Sequence, residues 1–488
     1  DDALGVALRA EMPMAPVGPQ GDVVVFTRAG CPFCTRAKAL LRSRGLQFNV
    51  VDCTAEPSRR AEAKALSGGA TTVPQIFVGR RSLGGFDDIK RLDDEGALLG
   101  AVTRTEDDGP VIEPTPEVLL AGRALIPEHL RAAFQERAEF LFNITRQGSW
   151  RPGSQPTVRA FLQYAVTGRP SQGQHDNVPL NVAGQHGDGE GARPLLLDMD
   201  APQLGALLGG VLLHLLDEFA DPGSGEVDYV RMHESPSWGS FLAVAGELAD
   251  PRLQSSLLAM DEAAKKAFYL NLYNSMTFHG VVAYGRRSGL WNMYCFYIAP
   301  AVSYSLAGVA VSLDDVENGI LRAQPKYFSD PDQSFQRRVQ VDGVDPRIHM
   351  ALNCGARGCP ATAVYSGVAS ELDQELDDAV AGFVADDKNV RVVPPSGPSS
   401  GASLEVSELF KMYISDFTRP GAKANNRDDQ EALARWILQF LQGRKRELLA
   451  DALDQPAARR ITLKWLPYDW TTNGPDMPLE DRIYRATW

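Results

Sequence analysis

Val23-Val-Val-Phe-Thr-Arg28-Ala-Gly-Cys31-Pro-Phe-Cys34 is the stretch on which the reading of this chain turns. Residues 22–27 carry a short apolar run of the kind a buried strand shows. Over residues 34–44 the apolar or small side chains of Ala37, Leu40 and Leu41 share one helical face. The Cys-x-x-Cys pair therefore sits where a strand ends and a helix begins. A helix start offers free N–H groups and a partial positive charge. Both favour the thiolate of Cys31 and lower its pKa, and thiolate is the attacking species in disulfide exchange. Cys34, one helical turn deeper, is placed to resolve a mixed disulfide. Half of a zinc site is the competing reading, but only Cys53 is close enough in sequence to add a ligand, so no metal is expected.

Outward from this stretch, residues 46–51 read as a second strand, 57–66 as an Ala-rich helix, 75–78 and 81–83 as strands, and 87–95 as a last helix. The order β-α-β-α-β-β-α fits a small α/β domain over residues 20–105. Residues 106–117, rich in acid and proline, read as a linker. Residues 118–195 read as a small helical module, with helices at 127–145 and 159–166 and a Gly-, Gln- and His-rich loop after them. From 198 to 480 the pattern is mostly helical (202–219, 238–248, 261–284, 312–323, 368–386, 408–417, 428–441). Short strands are expected at 339–341, 390–393 and 460–465, with a loop at 394–402. The fold class is thus multidomain, α/β followed by α+β.

The chain has 488 residues, with 49 Lys and Arg against 62 Asp and Glu, a net charge of −13. So acidic a chain has no global attraction for nucleic acid or an anionic membrane. The basic residues between 442 and 460 read as a solvated helix face. The longest apolar stretch, residues 204–216, is too short to span a bilayer and reads as a buried helix, so no membrane span is expected. Six cysteines in this length make no disulfide framework. They fit a reducing compartment, the cytoplasm or an organelle stroma or matrix. The chain opens on Asp1, which reads as a trimmed start with no signal or transit segment in view.

Phe26-Thr-Arg-Ala-Gly-Cys-Pro-Phe-Cys, Thr72-Val-Pro-Gln-Ile-Phe-Val-Gly and Gly84-Gly-Phe-Asp-Asp resemble, in order and spacing, the three signatures of a dithiol glutaredoxin. The resemblance implies a thioredoxin fold and glutathione as cofactor and partner. It makes Cys31 the nucleophile and Cys34 the resolving thiol. It implies a cis Pro74, with Val73 offering backbone hydrogen bonds to the glutathione cysteine. Arg28, in place of the usual Lys, would meet a glutathione carboxylate, and Phe33 and Thr72 would line the groove. Gly85, Phe86 and Asp87 would hold the γ-glutamyl end, through N–H groups at a helix start and the Asp87 carboxylate. Some glutaredoxins bind iron–sulfur clusters, but Pro32 beside Cys31 weighs against that here. Cys53 reads as a small half-buried hydrophobe.

A second cluster is Asp345-Pro-Arg-Ile-His349-Met-Ala-Leu-Asn353-Cys354-Gly-Ala-Arg-Gly-Cys359-Pro360. Upstream, Asn271, Asn274 and Ser275 share a helix face, with His279 expected near it. With Ser312-Leu-Asp-Asp-Val-Glu-Asn-Gly-Ile-Leu-Arg322, these segments resemble the domain-of-unknown-function 547 family over residues 260–417. Members of that family can carry a glutaredoxin and a DEP-like module, which would be residues 118–195. Family members often have His where this chain has Asn318.

Three readings compete for the second cluster. One is a nucleophilic Cys354 with His349 or His279 as base and Asn271 or Asn274 as orienter. Another is a redox pair, Cys354 with Cys359, acting as client of the glutaredoxin domain, and the third is a loop locked onto a helical core. The leading function is a glutathione-dependent thiol–disulfide oxidoreductase with an unknown client protein. The alternatives are a subunit of a larger assembly with a docking-only glutaredoxin domain, or a Cys/His hydrolase or transferase under redox control.

Overall fold

The computed structural model describes residues 23–28, 31–53, 58–70, 72–103, 108, 112, 179–182, 199–221, 224–285, 296–297, 302–324, 327–328, 334–395, 401–455 and 461–475. Nearly all of the expected linker and helical module at 106–195, and Cys295, lie outside the described residues. The chain divides into two units, Asp1–Pro116 and Glu117–Trp488.

In the first unit the elements are β1 (Val23–Thr27), α1 (Pro32–Ser43), β2 (Asn49–Asp52), α2 (Arg59–Leu66), β3 (Gln75–Val78), β4 (Arg81–Gly84), α3 (Phe86–Asp94) and α4 (Leu98–Ala101). The sheet order is β2-β1-β3-β4, with β1 parallel to β2 and antiparallel to β3. Every residue of β1 is buried, as expected of a central strand covered on both faces. Alternation then assigns its side chains. Val23 and Val25 pack with Ala37, Leu41 and Ile89 from α1 and α3, and Val24 and Phe26 pack with Val51, Phe77 and Ala63 toward α2. This is the expected thioredoxin-type arrangement, and it fixes the end of β1 beside the start of α1.

The second unit is built on α5 (Ala201–Phe219), α6 (Tyr229–His233), α7 (Pro236–Glu247), α8 (Gln254–Ala259) and α9 (Glu262–Tyr284). α9 is buried from Ala267 to Tyr284 and runs through the larger core. Two glycines of α5 face it. A Cβ at Gly205 would lie 2.6 Å from the Phe268 ring, and one at Gly209 would lie 3.1 Å from the Asn271 amide. The hairpin β5 (Ser303–Leu306) and β6 (Val309–Ser312) leads into a π-helix, Asp315–Leu321. After α10 (Ser334–Val339) and α11 (Ala369–Ala385) comes a second core around the sheet β7-β8-β9 (Val390–Val393, Ser403–Ser407, Thr462–Leu466). It also takes in α12 (Glu408–Met412), α13 (Ile414–Phe417), α14 (Arg427–Leu438) and α15 (Gly443–Leu453).

Three expectations need correction. Val339–Val341 is no strand: Val339 ends α10, and alternation over three residues was too short to define a period. The expected helix 312–323 begins as strand, because Ser312 closes β6. Its hydroxyl donates to Asp315 Oδ2 at 2.7 Å, which delays the helical turn. The strands β5, β6 and β8 had no reading in the sequence. Among the described residues no helix is long and apolar enough to cross a membrane.

Candidate functional site

Cys31 caps α1: its sulfur accepts from the Cys34 N–H at 3.2 Å, and Pro32 occupies the first turn, where a missing N–H costs nothing. The Cys31 thiol also donates to the Val73 carbonyl at 3.4 Å, and the Val73–Pro74 peptide is cis. Three segments distant in sequence thus meet at one sulfur. Cys31 is 6% exposed and Cys34 1%, so solvent reaches the first cysteine in preference to the second. Burial pushes the Cys34 thiol well up, contact with Cys31 adds to this, and the Thr27 hydroxyl opposes it. Cys34 therefore stays protonated while Cys31 reacts. Burial likewise pushes Cys53 up to about 12, with the Asp52 charge adding to it. The Cys31–Cys34 pair is in its dithiol form.

Around this sulfur, Phe33 and Phe86 bring their rings to 6.1 Å, and the Arg36 guanidinium lies 5.9 and 5.5 Å from the two centroids. Thr72 and Asp87 are exposed. Gly85 precedes α3, and a Cβ there would lie 3.5 Å from the Pro74 carbonyl oxygen, so this turn lies in ordinary contact with Pro74. Two details differ from expectation. The Gly85 N–H donates to Asp88 Oδ2 at 2.9 Å, so an internal carboxylate competes for it. Arg28 is buried, and its charge is felt by Cys53.

In the second unit the amides of α9 hold backbone. Asn271 donates to the Tyr365 carbonyl and accepts from the Tyr365 N–H, both at 3.0 Å. Asn274 donates to the Ala351 carbonyl at 3.0 Å and accepts from the Asn353 N–H at 2.8 Å. The two asparagines thus pin the residues on either side of the Cys354–Cys359 turn. His349 Nε2 meets Asp416 Oδ2 at 2.9 Å, and its ring stacks on Tyr413 at 3.8 Å. Burial pushes the His349 imidazole down, and Asp416 offsets this only in part. Burial works against the Asp416 carboxylate too. Hydrogen bonds from His349 and Arg322 outweigh it and hold the group well below the usual carboxylate range. The pair is therefore a neutral imidazole donating to a charged carboxylate.

His279 does not join this group. Its Nδ1 pairs with Tyr304 Oη at 2.8 Å, among the rings of Trp238 and Phe241. At about 100° per residue it lies about 140° around the helix from Asn274, so closeness to Asn271 alone misled the expectation.

Cys354 Sγ lies 3.0 Å from Cys359 Sγ, and the pair is in its dithiol form. Tyr468 donates to Cys359 Sγ at 3.1 Å, and so does the Cys354 N–H, also at 3.1 Å. Beside the pair, Tyr273 and Tyr413 each donate to Glu317 at 2.7 Å. Arg322 donates to Asp416 at 2.6 Å, and Asn318 bridges Asp314 and Arg322. Sequence reading missed Glu317, Tyr413, Asp416 and Tyr468. They come from three distant segments, Tyr413 and Asp416 sharing one, and only Glu317 fell inside a motif that had been singled out. Among the described residues no group of three or more His, Cys, Asp or Glu is placed to hold a metal ion.

Comparison with known proteins assigns both regions. Residues 23–83 match the family model described as Glutaredoxin, and residues 257–384 match "Protein of unknown function, DUF547". A glutaredoxin of Pseudomonas aeruginosa is 46% identical over 76 residues, 16% of this chain and 89% of that protein. Glutaredoxin 3 of Escherichia coli strain K12 is 43% identical over 77 residues, 16% of this chain and 92% of that protein. The solution structure of a Brucella melitensis glutaredoxin shares 48% identity over 17% of this chain and 91% of its own, with a TM-score of 0.16. The chain belongs to the glutaredoxin family through its first unit, and that unit has the site of a thiol–disulfide oxidoreductase.

Proposed function

We propose that this chain is a glutathione-dependent thiol–disulfide oxidoreductase acting through Cys31. The observation that carries the reading is the placing of the Cys31 sulfur at a helix start, against the Val73 carbonyl and above a buried Cys34. The Cys31 thiolate attacks the glutathione sulfur of a protein–glutathione disulfide. The S–S bond breaks, the client leaves as a thiolate, and Cys31 carries the glutathione. A second glutathione thiolate then attacks that sulfur, releases glutathione disulfide and regenerates Cys31. Cys34 serves the other route, in which a client held on Cys31 is displaced by forming the Cys31–Cys34 bond.

Val73 would meet the glutathione backbone beside Pro74, with Thr72 and Phe33 flanking it. The N–H groups of Phe86 and Asp87, in the first turn of α3, suit a carboxylate. The Asp87 side chain is exposed at the same end and suits an ammonium. Arg28 is the weakest member of the proposed set, since it lies inside.

The test is reduction of a small glutathione mixed disulfide by the full chain, with glutathione regenerated enzymatically. Turnover should saturate with glutathione and vanish in Cys31→Ser. Equal rates with unrelated monothiols as reductant would remove the glutathione dependence and leave only the general exchange chemistry.

A further inference from the structure

We propose that Cys354 and Cys359 form a second thiol–disulfide centre. In it Cys354 exchanges with small disulfides of the glutathione disulfide class, and Cys359 closes the intramolecular bond. The starting point is a redundancy. The loop that carries the two cysteines is already fastened without them. Asn353 donates to the Pro360 carbonyl at 2.8 Å and accepts from the Gly355 N–H at 2.8 Å. Arg357 N–H donates to the Thr471 carbonyl at 2.9 Å, Gly358 N–H to the Asp469 carbonyl at 2.9 Å, and Asn473 N–H to the Gly355 carbonyl at 3.0 Å. With Asn274 at the other end, a loop lock is complete in amides and backbone. The two sulfurs, 3.0 Å apart, add nothing that lock requires.

The contacts give each sulfur a role. Cys359 Sγ receives the Cys354 N–H and the Tyr468 hydroxyl, both at 3.1 Å. Cys354 Sγ lies farther from that hydroxyl, at 3.7 Å. Burial pushes the Cys359 thiol well up, contact with Cys354 adds to this, and the Tyr468 hydroxyl opposes it only in part, so Cys359 stays protonated while Cys354 reacts and suits the internal partner. That leaves the Cys354 sulfur for exchange with an incoming disulfide. A disulfide needs an S–S distance of about 2.05 Å, so closing the bond asks each sulfur to move by only about half an ångström.

The reaction balances. The Cys354 thiolate attacks one sulfur of glutathione disulfide, forming a mixed disulfide and releasing one glutathione thiolate. The Cys359 thiolate attacks the Cys354 sulfur and releases the second. Two protein thiols are oxidised, one glutathione disulfide is reduced, and the two protons the cysteines give up are taken, through solvent, by the two glutathione thiolates. The centre uses no residue of the first unit, so it stands or falls apart from the function proposed for Cys31.

The experiment uses the full chain as Cys31→Ser/Cys34→Ser, which removes the other dithiol. Protein is equilibrated in mixtures of reduced and oxidised glutathione, quenched in acid, alkylated under denaturing conditions and cut with trypsin. Arg357 lies between the two cysteines, so trypsin separates them unless a disulfide joins the peptides. The proposal expects a joined Cys354/Cys359 pair that appears under oxidising mixtures and disappears on reduction. The ratio of oxidised to reduced pair should change tenfold for each tenfold change in [GSSG]/[GSH]². Adding Cys359→Ser should trap glutathione on Cys354. Alkylation of both cysteines at every ratio would overturn the proposal. A glutathione adduct that persists on Cys354 with Cys359 present would do so too, as would pairing of either with Cys53 or Cys295. Should the Cys359→Ser protein fail to fold, the first measurement alone decides.

Discussion

Two cysteines three positions apart differ in kind because of one helical turn. Cys31 caps the helix and keeps a remnant of exposure, while burial raises the Cys34 thiol. Cys31→Ser should therefore lower glutathione mixed-disulfide reduction by at least ~100-fold. Cys34→Ser should retain that reaction and lose activity toward protein disulfides. Steady-state rates on the two substrates check both, and an active Cys31→Ser protein would refute the assignment. Iodoacetamide mapping at neutral pH should label Cys31 first and spare Cys53, whose thiol is pushed up to about 12. His279 makes a second residue-level case. Burial, and to a smaller degree the His233 charge, lower its pKa to about 3. The unfolded value is about 6.5, so below that pH the unfolded chain takes up a proton that the folded chain refuses. The stabilisation is complete above about pH 6.5 and drains away as pH falls toward 3, at about 1.4 kcal/mol per pH unit for one proton. Urea unfolding of the full chain across that window should show a slope shallower by one proton in His279→Gln, which can still meet the Tyr304 hydroxyl. Equal slopes would mean that His279 is charged in the fold.

Elements with a strong local period were legible and the others were not. β1, α1, β3 and α3 could be read because a buried strand and a capped helix each write a dense signal over four to twelve residues. The hairpin β5–β6 escaped because its strands, as short as β3, mix serine with apolar residues and so show no continuous apolar run. The π-helix escaped because nothing in Asp315-Val-Glu-Asn-Gly-Ile-Leu distinguishes it from an α-helix by period. At the second site, Cys354, Cys359, His349 and the asparagines stood in readable motifs. Tyr468, Tyr413 and Asp416 reach it only through the fold. The pairing of α5 with α9 can be tested directly. A Cβ at Gly205 would press on Phe268 at 2.6 Å, and that ring is fully enclosed. Gly205→Ala should cost about 1–3 kcal/mol as overpacking, in spite of alanine's better helix propensity. Asn274→Ala should cost a similar ~1–3 kcal/mol by leaving the Ala351 carbonyl and the Asn353 N–H unpaired. Denaturant midpoints at unchanged m-value would check both, and a stabilised Gly205→Ala protein would show that α5 and α9 do not pack this closely in solution.

At the scale of the whole molecule, each unit has apolar cores of its own. In the first they lie on the two faces of a four-stranded sheet, and in the second around α9 and around β7-β8-β9. Separate cores imply separate cooperative transitions, so calorimetry of the full chain should resolve more than one. A ligand stabilises only the unit whose folded form binds it. At a concentration one hundred times its dissociation constant the gain is about 2.7 kcal/mol. For a unit of roughly 60–100 residues each kcal/mol moves the midpoint by about 4–8 °C, so glutathione bound at the Cys31 groove should shift one transition by about 10–20 °C. The Cys31→Ser/Cys34→Ser protein removes covalent attachment and isolates this reversible term. Two outcomes would count against the reading. A single transition would mean that the units melt as one body. A shift confined to the larger transition would place the glutathione site in the second unit, where the Cys354–Cys359 centre has matching chemistry.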